Sequence, residues 1–159
     1  MIIMHRRRRE EKTDFRKRLG LVRSGATRLV IRKRLENISV QLVEYKPQGD
    51  VTLVSAFSQE LRKYGWKFST GNVTAAYLTG LLAGTRAKSR INHAILDIGL
   101  QSSTKGSRIY AALKGVLDAG INVPHSQDIL PKEDRIKGLH INQNIQKEFE
   151  EVKNKIVVK

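Results

Sequence analysis

The chain has 159 residues, with 30 Lys and Arg against 15 Asp and Glu, a net charge of +15 and no cysteine. That length allows one ordinary hydrophobic core with tails, and the lack of thiols excludes disulfides, zinc ribbons and cysteine nucleophiles. Such a surplus of positive charge calls for a polyanionic partner, and cysteine-free composition suits a reducing compartment, the cytosol.

The apolar start Met1-Ile2-Ile3-Met4 is too short for a signal-peptide core and runs straight into arginines. With no apolar run of about eighteen residues anywhere, neither a secretion signal nor a membrane span is expected. The first 34 residues carry thirteen Lys or Arg against three acids, so ten of the fifteen surplus charges sit in this segment. Within residues 6–23, Phe15, Leu19 and Val22 recur at helical spacing and predict an apolar stripe on a cationic helix. That helix should end near Gly20 and Ser24-Gly25.

Three β-branched runs follow: Leu29 to Ile31, Ile38 to Val43 and Val51 to Val54. The turn formers between them, Leu35-Glu36-Asn37 and Lys46 to Asp50, predict an antiparallel three-strand meander. The small apolar run Ala75 to Gly84 reads as a helix ending on Gly84 as C-cap, Ala94 to Gly99 as a short strand, and Ser107 to Ala119 as a second helix closed by Gly120. A strand reached by a helical crossover lies parallel to a meander strand, so the expected fold is an α/β mixed sheet with flanking helices. Ile141, Ile145, Phe149, Val152 and Ile156 predict a third amphipathic helix from about Asn142, which either packs on the domain or awaits a partner. The resulting division is a basic arm over residues 1–25, a core over 26–122 and an extension over 123–159.

Three segments are candidates for binding. The Arg6 to Arg9 run reads as a solvated tail, a localisation-like patch or a nucleic-acid contact. Continuity with Arg28, Arg32 and Arg34 on the first strand favours the last, and guanidinium groups suit bidentate phosphate contacts. The loop Gln101 to Arg108 follows a strand's carboxyl end and opens a helix, a position suited to phosphate, although without the Walker glycine–lysine order it is no nucleotide loop. It reads as a phosphate contact of RNA through Lys105 and Arg108, or as a plain polar connection. Lys63 to Asn72 interleaves aromatics with lysines, as stacking platforms or, more commonly, as core residues. His5, His93, His125 and His140 lack metal-ligand spacing, and Asp97 alone does not make a two-metal nuclease. No metal site, cofactor or catalysis is expected.

The segments Arg6 to Glu10 with Thr13 to Leu19, Tyr64-Gly65-Trp66, Ser69 to Asn72 before Ala76 to Gly84, and Leu96 to Leu100 before Thr104 to Ser107 occur in unbroken order. Over about residues 4 to 141 the chain thereby resembles the archaeal large-subunit ribosomal protein family numbered eighteen in the universal naming, whose eukaryotic member is large-subunit protein five. The resemblance implies a ribonuclease-H-like α/β fold without its active site and binding to 5S ribosomal RNA. It also implies attachment to large-subunit rRNA in the central protuberance beside neighbouring ribosomal proteins. Carried over by position, the expected RNA contacts are Arg6, Arg7, Arg8, Arg9, Lys12, Arg16 and Arg18 on the arm, and Arg32 and Asn37 on the meander. Thr70 and Asn72, and Ser103, Thr104, Lys105 and Arg108, complete the set. The part after Ile141 differs from the long acidic tail of some archaeal relatives, so tail contacts are not carried over. The competing classes are a metal-dependent nuclease and a protein-binding module acting through the last helix.

Overall fold

The computed structural model describes Met4 and residues 6–158; the apolar start before Met4, and His5, lie outside the described residues. Strands β1 (Arg28–Lys33), β2 (Ile38–Glu44) and β3 (Val51–Phe57) form the expected meander, and β4 (Ile95–Asp97) pairs parallel to β1, giving the order β3-β2-β1-β4. Period-two alternation assigns the faces. Leu29, Ile31, Ile38, Val40 and Leu42 are buried on one side, whereas Arg28, Val30 and Arg32 project to the other. A bulge between Leu42 and Val43 lets both side chains be buried in succession.

The helices are α1 (Arg6–Arg9), α2 (Phe15–Arg23), α3 (Val73–Ala87), α4 (Arg108–Asp118), α5 (Glu133–Ile136) and α6 (Gln143–Val157). A 3-10 segment over Ser58–Tyr64 links β3 to α3, and another covers Gln127–Ile129; neither these nor α5 announces itself in the sequence. Helix α3 is apolar on nearly every side because it is enclosed by the inner sheet face, α4 and α6.

Helix α3 does not stop at Gly84, as its capping residue would suggest, but runs on to Ala87. Gly84 serves packing instead, because a Cβ there would strike the Ala119 side chain. Gly80 and Gly115 lie at the same crossing: a Cβ on Gly80 would collide with the Ala112 carbonyl, and one on Gly115 with the Tyr77 carbonyl. The two stretches ending in Gly84 and Gly120, Leu81 to Gly84 and Leu117 to Gly120, look alike in sequence but do not share capping chemistry. Of these two glycines it is Gly120, at φ +101, that closes its helix in the left-handed conformation. Because the obstacles at the crossing are backbone atoms, Gly80→Ala and Gly115→Ala are each expected to cost about 3 kcal/mol, the upper end for overpacking. Urea unfolding checks this, with Gly20→Ala as the uncrowded comparison: a Cβ there meets nothing within 4 Å, and inside α2 the change is expected to gain up to about 1 kcal/mol through helix propensity.

The basic leader is two helices rather than one. Asp14 caps α2 by accepting hydrogen bonds from the Arg16 and Lys17 amides at 3.0 and 3.1 Å, and Glu11 before it takes φ +51, which together end α1 early. The expected apolar stripe is not the docked face: Phe15 and Leu19 are exposed, while Arg18, Leu21 and Val22 are half-buried. Helix α6 starts from the Asn142 cap as anticipated. Ile145, Phe149, Val152 and Ile156 all enter the core against α3, leaving Ile141 exposed ahead of the helix. Its apolar face is thus spent within the chain.

Candidate nucleic-acid interface

On the outer sheet face, alternation brings Arg28 and Arg32 of β1 alongside Asp97 of β4, a pairing set by the parallel register. Arg28, only 4% exposed, donates to Asp97 Oδ2 at 3.1 Å and to Asp50 Oδ2 at 2.6 Å. Arg18 of α2 reaches the same Asp50 oxygen at 2.8 Å, and Arg32 donates to Asp97 Oδ1 at 2.8 Å and to the Asp97 carbonyl at 2.6 Å. The result is a ladder, Arg18–Asp50–Arg28–Asp97–Arg32, in which three cations share two carboxylates and one positive charge remains uncompensated. It ties the arm to the sheet. Asp97 also accepts from the Gly99 amide at 2.9 Å, so both oxygens of its carboxylate are held within the chain.

Between the arm and this face opens a cleft of about 730 Å³, walled by Arg7, Lys12, Lys17 and Arg18 on one side and by Arg28, Arg32 and Ile98 to Gln101 on the other. Its cations, those six, outnumber the lining acids Asp14, Asp50 and Asp97 two to one, and low-dielectric walls focus such a field. Glu10 lies between Lys12 and Arg6, whose hydrogen bonds hold its carboxyl below the usual range. Arg7 donates to Thr13 Oγ1 at 2.9 Å. Among the described residues, Arg8, Arg9 and Arg16 are exposed and have no side-chain ion pair.

A second group converges at the carboxyl end of β1. Thr70 Oγ1 donates to the Glu36 carbonyl at 2.8 Å and contacts Asn37 Oδ1 at 3.0 Å, and the Asn37 oxygen also accepts from Ser58 Oγ at 3.2 Å. Asn72 caps α3 by accepting from the Ala75 amide at 2.7 Å. Arg108, at the start of α4, donates to the Gly71 carbonyl at 2.7 Å and the Leu35 carbonyl at 3.1 Å. Gln101 clamps both backbone groups of Lys33, at 3.2 and 2.8 Å. The hairpin turn, the loop before α3 and the loop before α4 are thereby held as one rim.

The expected contact residues thus fall into two sets. Arg7, Lys12, Arg18 and Arg32 line the cleft, with Arg6, Arg8, Arg9 and Arg16 on the same arm but outside its lining, while Asn37, Thr70, Asn72 and Arg108 meet at the rim, each already bonded within the chain. Of the loop residues, Ser103 is hydrogen-bonded to the Tyr110 hydroxyl, and Thr104 and Lys105 are exposed. The amides of Gly99, Gln101, Gly106 and Ser107 are satisfied internally, and the exposed stretch between them, Ser102 to Lys105, presents hydroxyls and one ammonium. The aromatics at 64–68 are not open platforms: Trp66 is 2% exposed, donates to the Ser69 carbonyl at 3.2 Å and packs edge-on against Phe68. Sequence reasoning overlooked Asp50, which reads as a turn former, and Gln101. Neither has a sequence signal, since the partners lie 32, 22 and 68 residues away.

No helix among the described residues is long and apolar enough to cross a membrane, and no three His, Asp or Glu of those residues converge as metal ligands would.

The family model described as "Ribosomal large subunit proteins 60S L5, and 50S L18" matches residues 2–94 and 87–126. Similar proteins include the large ribosomal subunit protein uL18 of Korarchaeum cryptofilum, 56% identical over 150 residues, covering 94% of this chain and 77% of that one. The uL18 of Methanococcus maripaludis is 56% identical over 137 residues, with 86% and 71% covered. That of Methanococcoides burtonii is 48% identical over 161 residues, with 98% and 93% covered.

Proposed function

Because the chain belongs to the family of ribosomal large-subunit proteins 60S L5 and 50S L18, we propose that it binds 5S ribosomal RNA and attaches it to large-subunit rRNA in the central protuberance. Family membership makes it a non-enzymatic structural component of the large subunit, associated with rRNA in the cytoplasmic ribosome. The 5S assignment and the neighbouring proteins of the protuberance are the finer reading.

The observation that carries it is the cationic cleft, together with Arg8, Arg9 and Arg16 on the same arm, guanidinium groups without a side-chain partner among the described residues. Phosphates take the place of counterions along this track and supply affinity. In this reading the arm (residues 1–25), Arg32 and Lys105 touch phosphate. Asn37, Thr70, Asn72, Ser103, Thr104 and Arg108 shape the rim that meets the ribose edge and unpaired bases. The nuclease alternative loses its best candidate, because both oxygens of the Asp97 carboxylate already accept from Arg28, Arg32 or Gly99, two of these donors are guanidinium cations that oppose a metal ion, and no three potential ligands converge among the described residues. The core 26–122 and extension 123–159 then serve as the scaffold on which arm and rim are mounted.

Hydroxyl-radical footprinting of 5S rRNA, with transfer RNA as competitor, tests the assignment. Protection of a defined 5S segment that survives about a hundredfold excess of competitor is expected. Equal competition by transfer RNA would reduce the protein to a non-specific RNA binder and overturn the 5S reading.

A further inference from the structure

A second basic concavity lies away from the arm, where the 3-10 segment, the carboxyl end of α3 and the last turns of α6 meet. It encloses about 690 Å³ and is lined by Glu60, Arg62, Lys63, Tyr64, Gly65, Arg86 and Lys155. Four cations against one carboxylate leave a surplus of three.

The pocket is built rather than incidental. Arg86 donates to the Ser55 carbonyl at 2.7 Å and to Glu60 Oε2 at 2.7 Å. Burial works against the charge on Arg86, but the Glu60 carboxylate and Tyr64 outweigh it and hold its pKa above the ordinary value. Glu60 is fixed in turn by the Phe57 amide at 2.8 Å. Lys155 Nζ donates to the Tyr64 carbonyl at 3.3 Å, and a Cβ on Gly65, at φ +98, would press on that ammonium at 3.3 Å. Arg62 and Lys63 stand exposed at the mouth with no ion pair among the described residues. Because Arg86 is at the opposite end of α3 from Asn72, the pocket is about 20 Å from the rim, at 1.5 Å per helical residue.

We infer that this pocket binds the phosphate backbone of a second RNA segment, independently of the arm, so that the protein grips two RNAs from two sides. Tyr64 is the sole aromatic in the lining and no aliphatic side chain accompanies it. A protein partner would need a desolvated apolar anchor at the centre of its interface, whereas phosphates need only cations. The inference rests on the RNA-binding reading above and adds a site to it.

The test uses the full chain with two purified RNAs, 5S rRNA and large-subunit rRNA. It measures each binary affinity against salt, and the capture of labelled 5S on immobilised large-subunit rRNA. The double variant Arg62→Ala, Lys63→Ala, both exposed and so expected to fold, should lose about tenfold in affinity for one RNA. Its salt slope for that RNA should be shallower by about 1.5, at roughly 0.7–0.9 per phosphate contact. Affinity for the other RNA should stay at the wild-type value, and capture should fall with the lost contact. Alanine at Arg6 to Arg9 should weaken the other RNA. The site is overturned if the double variant matches wild type in both affinities and in capture, as an acidic protein partner for the pocket would predict. It is equally overturned if both sets of variants weaken the same RNA. Failure of the wild-type protein to bind either RNA would instead sink the RNA reading itself.

Discussion

Replacing Arg6, Arg7, Arg8 and Arg9 together with alanine is expected to make the salt dependence of RNA binding shallower by about three in log–log slope, since each lost phosphate contact removes roughly 0.7–0.9. Between 50 and 200 mM salt, that difference amounts to about sixtyfold less loss of affinity for the variant than for the wild type. The fold should be indifferent. Helix α1 contributes no buried residue, its side-chain contacts are the exposed Arg6–Glu10 pair and the Arg7–Thr13 hydrogen bond, and solvent screening leaves exposed pairs of this kind with little effect on stability. A filter-binding titration at four salt concentrations, with urea unfolding of the same preparation, checks both halves. An unchanged slope would mean that the exposed guanidinium groups meet solvent rather than phosphate in the complex. A large fall in stability would mean that the arm is a structural element. The choice of residues matters, because Arg18, only a turn beyond Asp14, is committed to Asp50, and its removal would mix binding with docking of the arm.

The largest effect on stability is expected at Asp97. Its carboxylate accepts from buried Arg28, from Arg32 and from the Gly99 amide, and its side chain is 9% exposed. Breaking a buried ion pair from one side leaves an uncompensated charge and costs about 3–5 kcal/mol. Asp97→Ala should fall near 4 kcal/mol and Asp97→Asn near 3, because the amide oxygen keeps one acceptor while its NH₂ faces a guanidinium. Asp50→Asn should cost about 1–2 kcal/mol, since that side chain is 26% exposed and better screened. Unfolding midpoints in urea rank the three variants, and equal, small losses at all three would show the ladder to be energetically idle. The same series separates scaffold from interface: Asp97→Asn should alter RNA binding only in proportion to the folded fraction, as a carboxylate that supports the fold without touching RNA does.

The fold was legible where local pattern and burial coincide. Residues 28–33, 38–44 and 51–57 alternate with turn formers between them, and hydrophobic alternation is what a half-buried strand requires. The crossover from β3 to β4 through α3 dictates the parallel pairing, and the periodicity of Ile145, Phe149, Val152 and Ile156 is the buried face of α6. Local pattern misled at Gly84. A glycine after Leu-Leu-Ala has the same appearance whether it ends a helix or admits a neighbour, and the partner that decides, Ala119, is 35 positions along. It misled again in the leader, where the apolar spacing of Phe15, Leu19 and Val22 outweighed Asp14 as a cap.

For the interface, composition alone determined that the chain carries a cationic leader in need of a polyanion, because charge is a property of residues and needs no fold to exist. The ordered motifs carried the family resemblance, which the family model and the similar proteins bear out. Only the tertiary structure decided which cations are also held by partners within the chain. Arg18, Arg28 and Arg32 are matched to Asp50 and Asp97, and Arg108 to two carbonyls, while Arg8, Arg9, Arg16, Arg62 and Lys63 are left facing outward. The reason is physical: a charge becomes structural when folding brings a partner within hydrogen-bonding distance in a shielded place, and such pairings, made between residues far apart in the chain, leave no trace in local sequence.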